Sequence, residues 1–140
     1  MQNSKWYELA LAERGVKEAP GAANNPTVRA YYKDAGHPEV AHDSVPWCAA
    51  FVGAMLARAG IEPSGSLAAR SYLSWGRRLE RPRQGCIVVF KRGNASWQGH
   101  VTFFDHEESR LLVCIGGNQS DRVCFAPYPK SRVLGYRWPT

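Results

Sequence analysis

No apolar run in the 140 residues approaches the length of a membrane span. The first residues, Met1 to Trp6, lack the basic-then-apolar pattern of a secretory signal. Internal repeats, low-complexity tracts and an interdomain linker are also missing. The reading is therefore one domain, 1–140, large enough to bury a core. Four cysteines at 48, 86, 114 and 124 form no C-x-x-C pair and show no histidine spacing typical of zinc, so no metal or cofactor is expected. Cys86 and Cys114 lie in apolar strand-like runs and read as core; spacing leaves open a disulfide among Cys86, Cys114 and Cys124. Acidic excess is absent too. The formal net charge is +6, which suits an anionic partner. The basic residues are scattered, apart from Arg77, Arg78, Arg81 and Arg83, and are not interleaved with aromatics as in nucleic-acid motifs. No nucleic acid and no membrane insertion are expected.

What is present is organised around the stretch from Asp43 to Gly60. Ser44 is a fair cap, and Pro46 suits a first helical position because its missing N–H would be unsatisfied there anyway. Phe51 with Met55, then Val52, Leu56 and Ala59, recur at helical spacing, and Gly60 is a good terminator. Cys48 falls in the first turn, where unpaired N–H groups and the helix dipole favour a thiolate. Ahead of it, Ser4 to Arg14 suits a short helix with Trp6, Leu9 and Ala10 on one side. Asn25 and Pro26 open a second helix with Val28, Tyr31, Tyr32 and Ala35 on its apolar face. Ser66 can cap a fourth helix ending at Gly76.

From Arg77 the texture changes. Cys86–Phe90, His100–Phe104, Leu111–Ile115 and Val133–Trp138 read as strands, with Arg122–Phe125 a further candidate. Helices first and strands second point to an α+β fold with an antiparallel sheet.

A cysteine nucleophile needs a base within hydrogen-bond reach and a partner that orients the base. His37 and His42 lie too close in sequence to face Cys48 easily. His100 opens a strand; His106 shares its face by parity but sits beside Glu107 and Glu108 and reads as a surface residue. His100 is the better base. Asn118, just after the third strand, can accept the imidazole N–H and fix its tautomer. The Gly116-Gly117-Asn118 string also suits a plain turn, and Asp105 is an alternative orienter on the opposite strand face.

Together, Pro46-Trp47-Cys48-Ala49-Ala50-Phe51-Val52, the pair Gly85–Phe90 and Gly99–Phe104, and the later strings Gly116–Ser120 and Ser131–Arg137 resemble CHAP and NlpC-type cysteine peptidases that cut bacterial peptidoglycan. The nearest likeness is to a small subgroup common in phages and prophages, which the segment Glu18–Gly21 also resembles. One departure is Cys86, where that family commonly has Asp. The resemblance implies a papain-like fold, N-terminal helices packed on a small antiparallel sheet, with Cys48, His100 and Asn118 catalytic. Trp47, Asp43, Gln119 and Glu18 are then candidates for substrate binding. It further implies a monomeric endolysin-like hydrolase of stem-peptide amide bonds, made in the cytoplasm and acting on the cell wall after release or delivery. Peptidoglycan is the expected partner; a secreted antibacterial effector, paired with an immunity protein, and a non-catalytic wall-binding module are the alternatives.

Overall fold

The computed structural model describes residues 4–17, 26–38, 47–93, 98–119 and 122–139. It is an α+β structure with an antiparallel sheet. Three α-helices come first: α1 (Lys5–Ala12), α2 (Pro26–Asp34) and α3 (Cys48–Arg58). A 3₁₀ segment, Ala69–Ser74, leads into the strands β1 (Arg77–Leu79), β2 (Ile87–Lys91), β3 (Gly99–Glu108), β4 (Leu111–Gln119), β5 (Arg122–Pro129) and β6 (Val133–Trp138). The sheet order is β1-β6-β2-β3-β4-β5.

Helix α3 is the centre of the larger core. Cys48 through Leu56 are all buried, which explains why this segment is apolar around its whole circumference rather than along one stripe. Phe51 packs edge-on to Tyr31 of α2 and to Phe103 of β3. On α2, Val28, Tyr31 and Tyr32 are fully buried with Ala35 just beyond, the face that the helical spacing indicates. On α1 the buried residues are Tyr7 and Ala10, while Trp6 and Leu9 are only half-buried. Tyr7 is drawn inward because its hydroxyl donates to Asp105 on β3. A second, smaller core on the other side of the sheet holds Cys86, Val88, Phe90, Phe104, Leu112, Cys114 and Tyr136.

Several boundaries differ from the sequence reading. Helix α3 starts at Cys48, with Trp47 as cap, and Ser44 and Pro46 lie outside the described residues. The expected fourth helix is a 3₁₀ segment, its start tied by Ser64 and Ser66 side chains that bond nearby backbone instead of continuing a helix. The third strand does not stop at Ile115 but runs on to Gln119, and β5 reaches Pro129. All four cysteines are free thiols.

Two irregularities shape the sheet. In β3 the register against β4 shifts between Phe104 and His106, making Asp105 the extra residue. In β4 the register against β5 shifts between Gly116 and Gln119, where Asn118 has φ 59°. The β3–β4 ladder ends at Phe103 and Ile115. Beyond that pair the two strands part, and the start of α3 enters the opening.

Gly117 makes that entry possible. A Cβ there would sit 2.6 Å from Phe51 Cβ and 2.8 Å from the Trp47 ring. At Gly116 a Cβ would overlap the Thr102 side chain. Gly117→Ala is therefore expected to lower unfolding free energy by roughly 1–3 kcal/mol through overpacking. Denaturant titration of the purified variant measures this; an unchanged midpoint would mean that the helix start is not held against β4.

Candidate active site

Cys48 is the first residue of α3 and is 5% exposed. Burial pushes its thiol up, as it does elsewhere in this chain. That effect is outweighed by a hydrogen bond and the positive charge from His100, and by the backbone N–H groups of Val101 and Ala49 donating to the sulfur. The net result is a thiol held below the ordinary range. Val101 can serve the sulfur because β3 has lost its β4 ladder partner at that level. The other thiols give the contrast: burial pushes Cys86 up to about 11 and pushes Cys114 up further still.

His100 is buried on the central strand β3, opposite Phe90 on β2. Its ring lies 5.1 Å from that of Tyr128. His100 Nε2 is 2.9 Å from Gln119 Oε1 and 3.1 Å from the Tyr128 hydroxyl. The orientation of the Gln119 amide is fixed by its other end. Its Nε2 donates to the carbonyls of Cys124 at 2.6 Å and Cys114 at 3.2 Å, which only an N–H can do. Oε1 therefore faces His100 as a pure acceptor, so His100 Nε2 carries the proton and Nδ1 is left for the Cys48 thiol. Thr102 Oγ1 lies 2.9 Å from Gln119 Oε1 and 2.7 Å from the Ile115 carbonyl, its one proton shared between them.

The orienting role read onto Asn118 thus falls to its neighbour. Asn118 occupies the left-handed backbone region and lines the cavity beside His100. As the bulge residue it turns the chain so that Gln119 points at the imidazole. Asp105, the other candidate, is engaged elsewhere, accepting from Tyr7 and bonded to His106 at 2.6 Å. The bulge at Asp105 also breaks the parity that would put His106 on the face of His100, and His106 is exposed, with Glu108 as its second partner. Trp47, expected to line the site, is fully buried and stacked on Tyr31 with 5.9 Å between ring centroids, so it offers no surface to a substrate. Asp43 and Glu18 lie outside the described residues, as does His42.

Thr102 and Tyr128 were not singled out from sequence. Thr102 was accessible, since alternation places it on the face of His100 two residues earlier. Tyr128 carried no such signal, because the extension of β5 past Phe125 was not evident. Among the described residues no group of His, Cys, Asp and Glu side chains could hold a metal ion. A thiol at a helix start, an imidazole with a fixed tautomer and a buried amide behind it can perform nucleophilic attack and proton transfer at a carbonyl. Neither a scan against protein-family models nor a search of curated proteins finds a match for this chain.

Two outcomes follow from this geometry. Gln119→Ala removes the acceptor for His100 and leaves two buried carbonyls unserved, so turnover should drop by about 10- to 100-fold, the worth of a buried hydrogen bond to a charged group. Asn118→Gly keeps the left-handed backbone and should cost far less; steady-state rates of the two folded variants decide between them. The second outcome concerns pH. In the wild type, alkylation of Cys48 by iodoacetamide should follow a midpoint below the roughly 8.5 of a free thiol. In His100→Ala the lowering partner is gone and burial prevails, so the midpoint should move above that value. Coincident profiles would show that the imidazole does not ionise the thiol.

Proposed function

We propose that this protein is a cysteine-dependent amide hydrolase of papain-like architecture, with Cys48 as nucleophile, His100 as acid–base and Gln119 as the residue that orients His100. The observation that carries this is a buried Cys48 at the start of α3 with its thiol lowered by the neighbouring His100, which is itself held from behind by Gln119. Within that class we read it as an endolysin-like peptidoglycan hydrolase acting on stem-peptide amide bonds. The motifs flanking Cys48 and His100 and the net charge of +6 support this reading.

The reaction is an acyl transfer. With His100 Nδ1 holding the thiol proton, the Cys48 thiolate attacks the substrate carbonyl carbon. The oxygen gains the negative charge, and the Cys48 backbone N–H, at a helix start where the first N–H groups have no intrahelical acceptor, can donate to it. Collapse breaks the C–N bond as Nδ1–H protonates the departing amine, leaving a thioester. His100 then takes a proton from water as water attacks the thioester, and thiolate leaves. Because Nε2–H stays bonded to Gln119, one ring nitrogen does all the proton transfer while the other fixes the ring.

Digestion of purified peptidoglycan followed by mass spectrometry of the soluble fragments tests the reading and identifies the bond. Wild-type protein should release fragments carrying a new amine and a new carboxylate. Cys48→Ala and Cys48→Ser should release none while remaining folded. Cys86→Ser, Cys114→Ser and Cys124→Ser should retain activity where they fold. Full lysis by Cys48→Ala would sink the catalytic assignment.

A further inference from the structure

A cavity of about 210 Å³ opens beside His100. Three cations line it, Lys91, Arg92 and Arg132, together with Asn118, Gln119 and Tyr128 among others. Among the described residues that line it there is no carboxylate. The fold brings the cations together: Phe90 pairs with Val133 across β2 and β6, so Lys91 and Arg92 continue past the end of that ladder alongside Arg132. None of the three joins an ion pair among the described residues, although Arg58 and Lys130 do. Three like charges converging on one concavity repel each other, a cost that an anion in the cavity would offset.

We propose that this cavity is a subsite for a carboxylate on the leaving-group half of the substrate, with Arg92 and Arg132 as its principal ligands and Lys91 adding charge. The proposal rests on the reading of Cys48 and His100 as an amide-hydrolysing pair and extends it to the substrate. His100 must donate to the departing amine, so that amine lies on the His100 side of the sulfur. The cavity is lined by His100 and not by Cys48, so a group held there belongs with the amine that His100 protonates and not with the acyl half on the sulfur. Where the residue released as the amine ends its peptide branch, its free carboxylate is one carbon from that amine. Guanidinium groups match a carboxylate in shape as well as charge. The volume is below the roughly 300–1,000 Å³ of sites that enclose a whole ligand, and suits one charged group rather than a sugar.

The test uses two stem-peptide substrates, identical except that the carboxylate on the residue leaving as the amine is free in one and amidated in the other. Wild-type protein and the double variant Arg92→Gln/Arg132→Gln are compared by kcat/KM. In parallel, the alkylation rate of Cys48 by iodoacetate is divided by that of iodoacetamide, a ratio that reads local charge without requiring turnover. Wild type should prefer the free carboxylate by about tenfold or more, the worth of a charge-assisted hydrogen bond. The double variant should lose most of that preference, and its iodoacetate-to-iodoacetamide ratio should fall several-fold. Equal cleavage of both peptides by wild type, or a preference untouched in the variant, overturns the subsite. If neither peptide is cut, the hydrolase reading fails, and the alkylation ratio decides whether the anion site exists: a fall supports it, no change overturns it.

Discussion

The full satisfaction of one buried amide holds the site together. Gln119 is 3% exposed, and both ends of its side chain are engaged. An amide left half-bonded at that depth would cost on the order of 1–3 kcal/mol per missing bond. The Cys114 and Cys124 carbonyls therefore fix which end faces His100, and with it the tautomer of the imidazole. Proton placement at the Cys48 sulfur is linked through two side chains, His100 and Gln119, to backbone carbonyls of β4 and β5. Among the described residues no buried side-chain polar atom lacks a partner, so the network has few alternative arrangements of similar energy.

That network needs space, and the space comes from the parting of β3 and β4. While two strands remain hydrogen-bonded, their facing N–H and C=O groups are consumed by the ladder. Once the ladder ends at Phe103 and Ile115, Val101 N–H turns to the Cys48 sulfur and the Ile115 carbonyl turns to Thr102. Two adjacent glycines then let the helix start and the Thr102–Gln119 pair close in from opposite sides. The same backbone groups that would have extended a sheet instead serve the Cys48–His100–Gln119 cluster.

The sequence made the helical face of α2, the buried character of α3, the order of helices and strands, and the juxtaposition of Cys48 and His100 legible, because each rests on spacing or on a chemistry that few residue types supply. The identity of the orienting residue was not legible. Strict alternation along β4 cannot distinguish Asn118 from Gln119 once a bulge intervenes, and the bulge depends on a left-handed Asn118 that looks like a turn residue in isolation. Trp47 illustrates the opposite difficulty: an aromatic beside a candidate nucleophile suggests contact with substrate, yet its bulk fills the gap left by Gly117. The short 3₁₀ segment reads as a full α-helix in the sequence and β1 is not legible at all, for a simpler reason: six and three residues give too few repeats to establish a period.

The outer strand β5 carries one further consequence. Val123 exchanges backbone hydrogen bonds with Gly15 and Val16, so its N–H and C=O point away from β4 and are covered by the segment after α1. Alternate residues share that direction, which makes 125, 127 and 129 the next outward-facing positions. Two of these are Pro127 and Pro129, which have no N–H to offer. The opposite margin of the sheet is the three-residue β1, with Arg77 and Arg78 exposed. A passing extended chain thus finds one side capped and proline-studded and the other short and charged, the features that deter strand-by-strand aggregation. Among the described residues, an open sheet that is not closed into a barrel is left with little unpaired backbone at either margin for another strand to join.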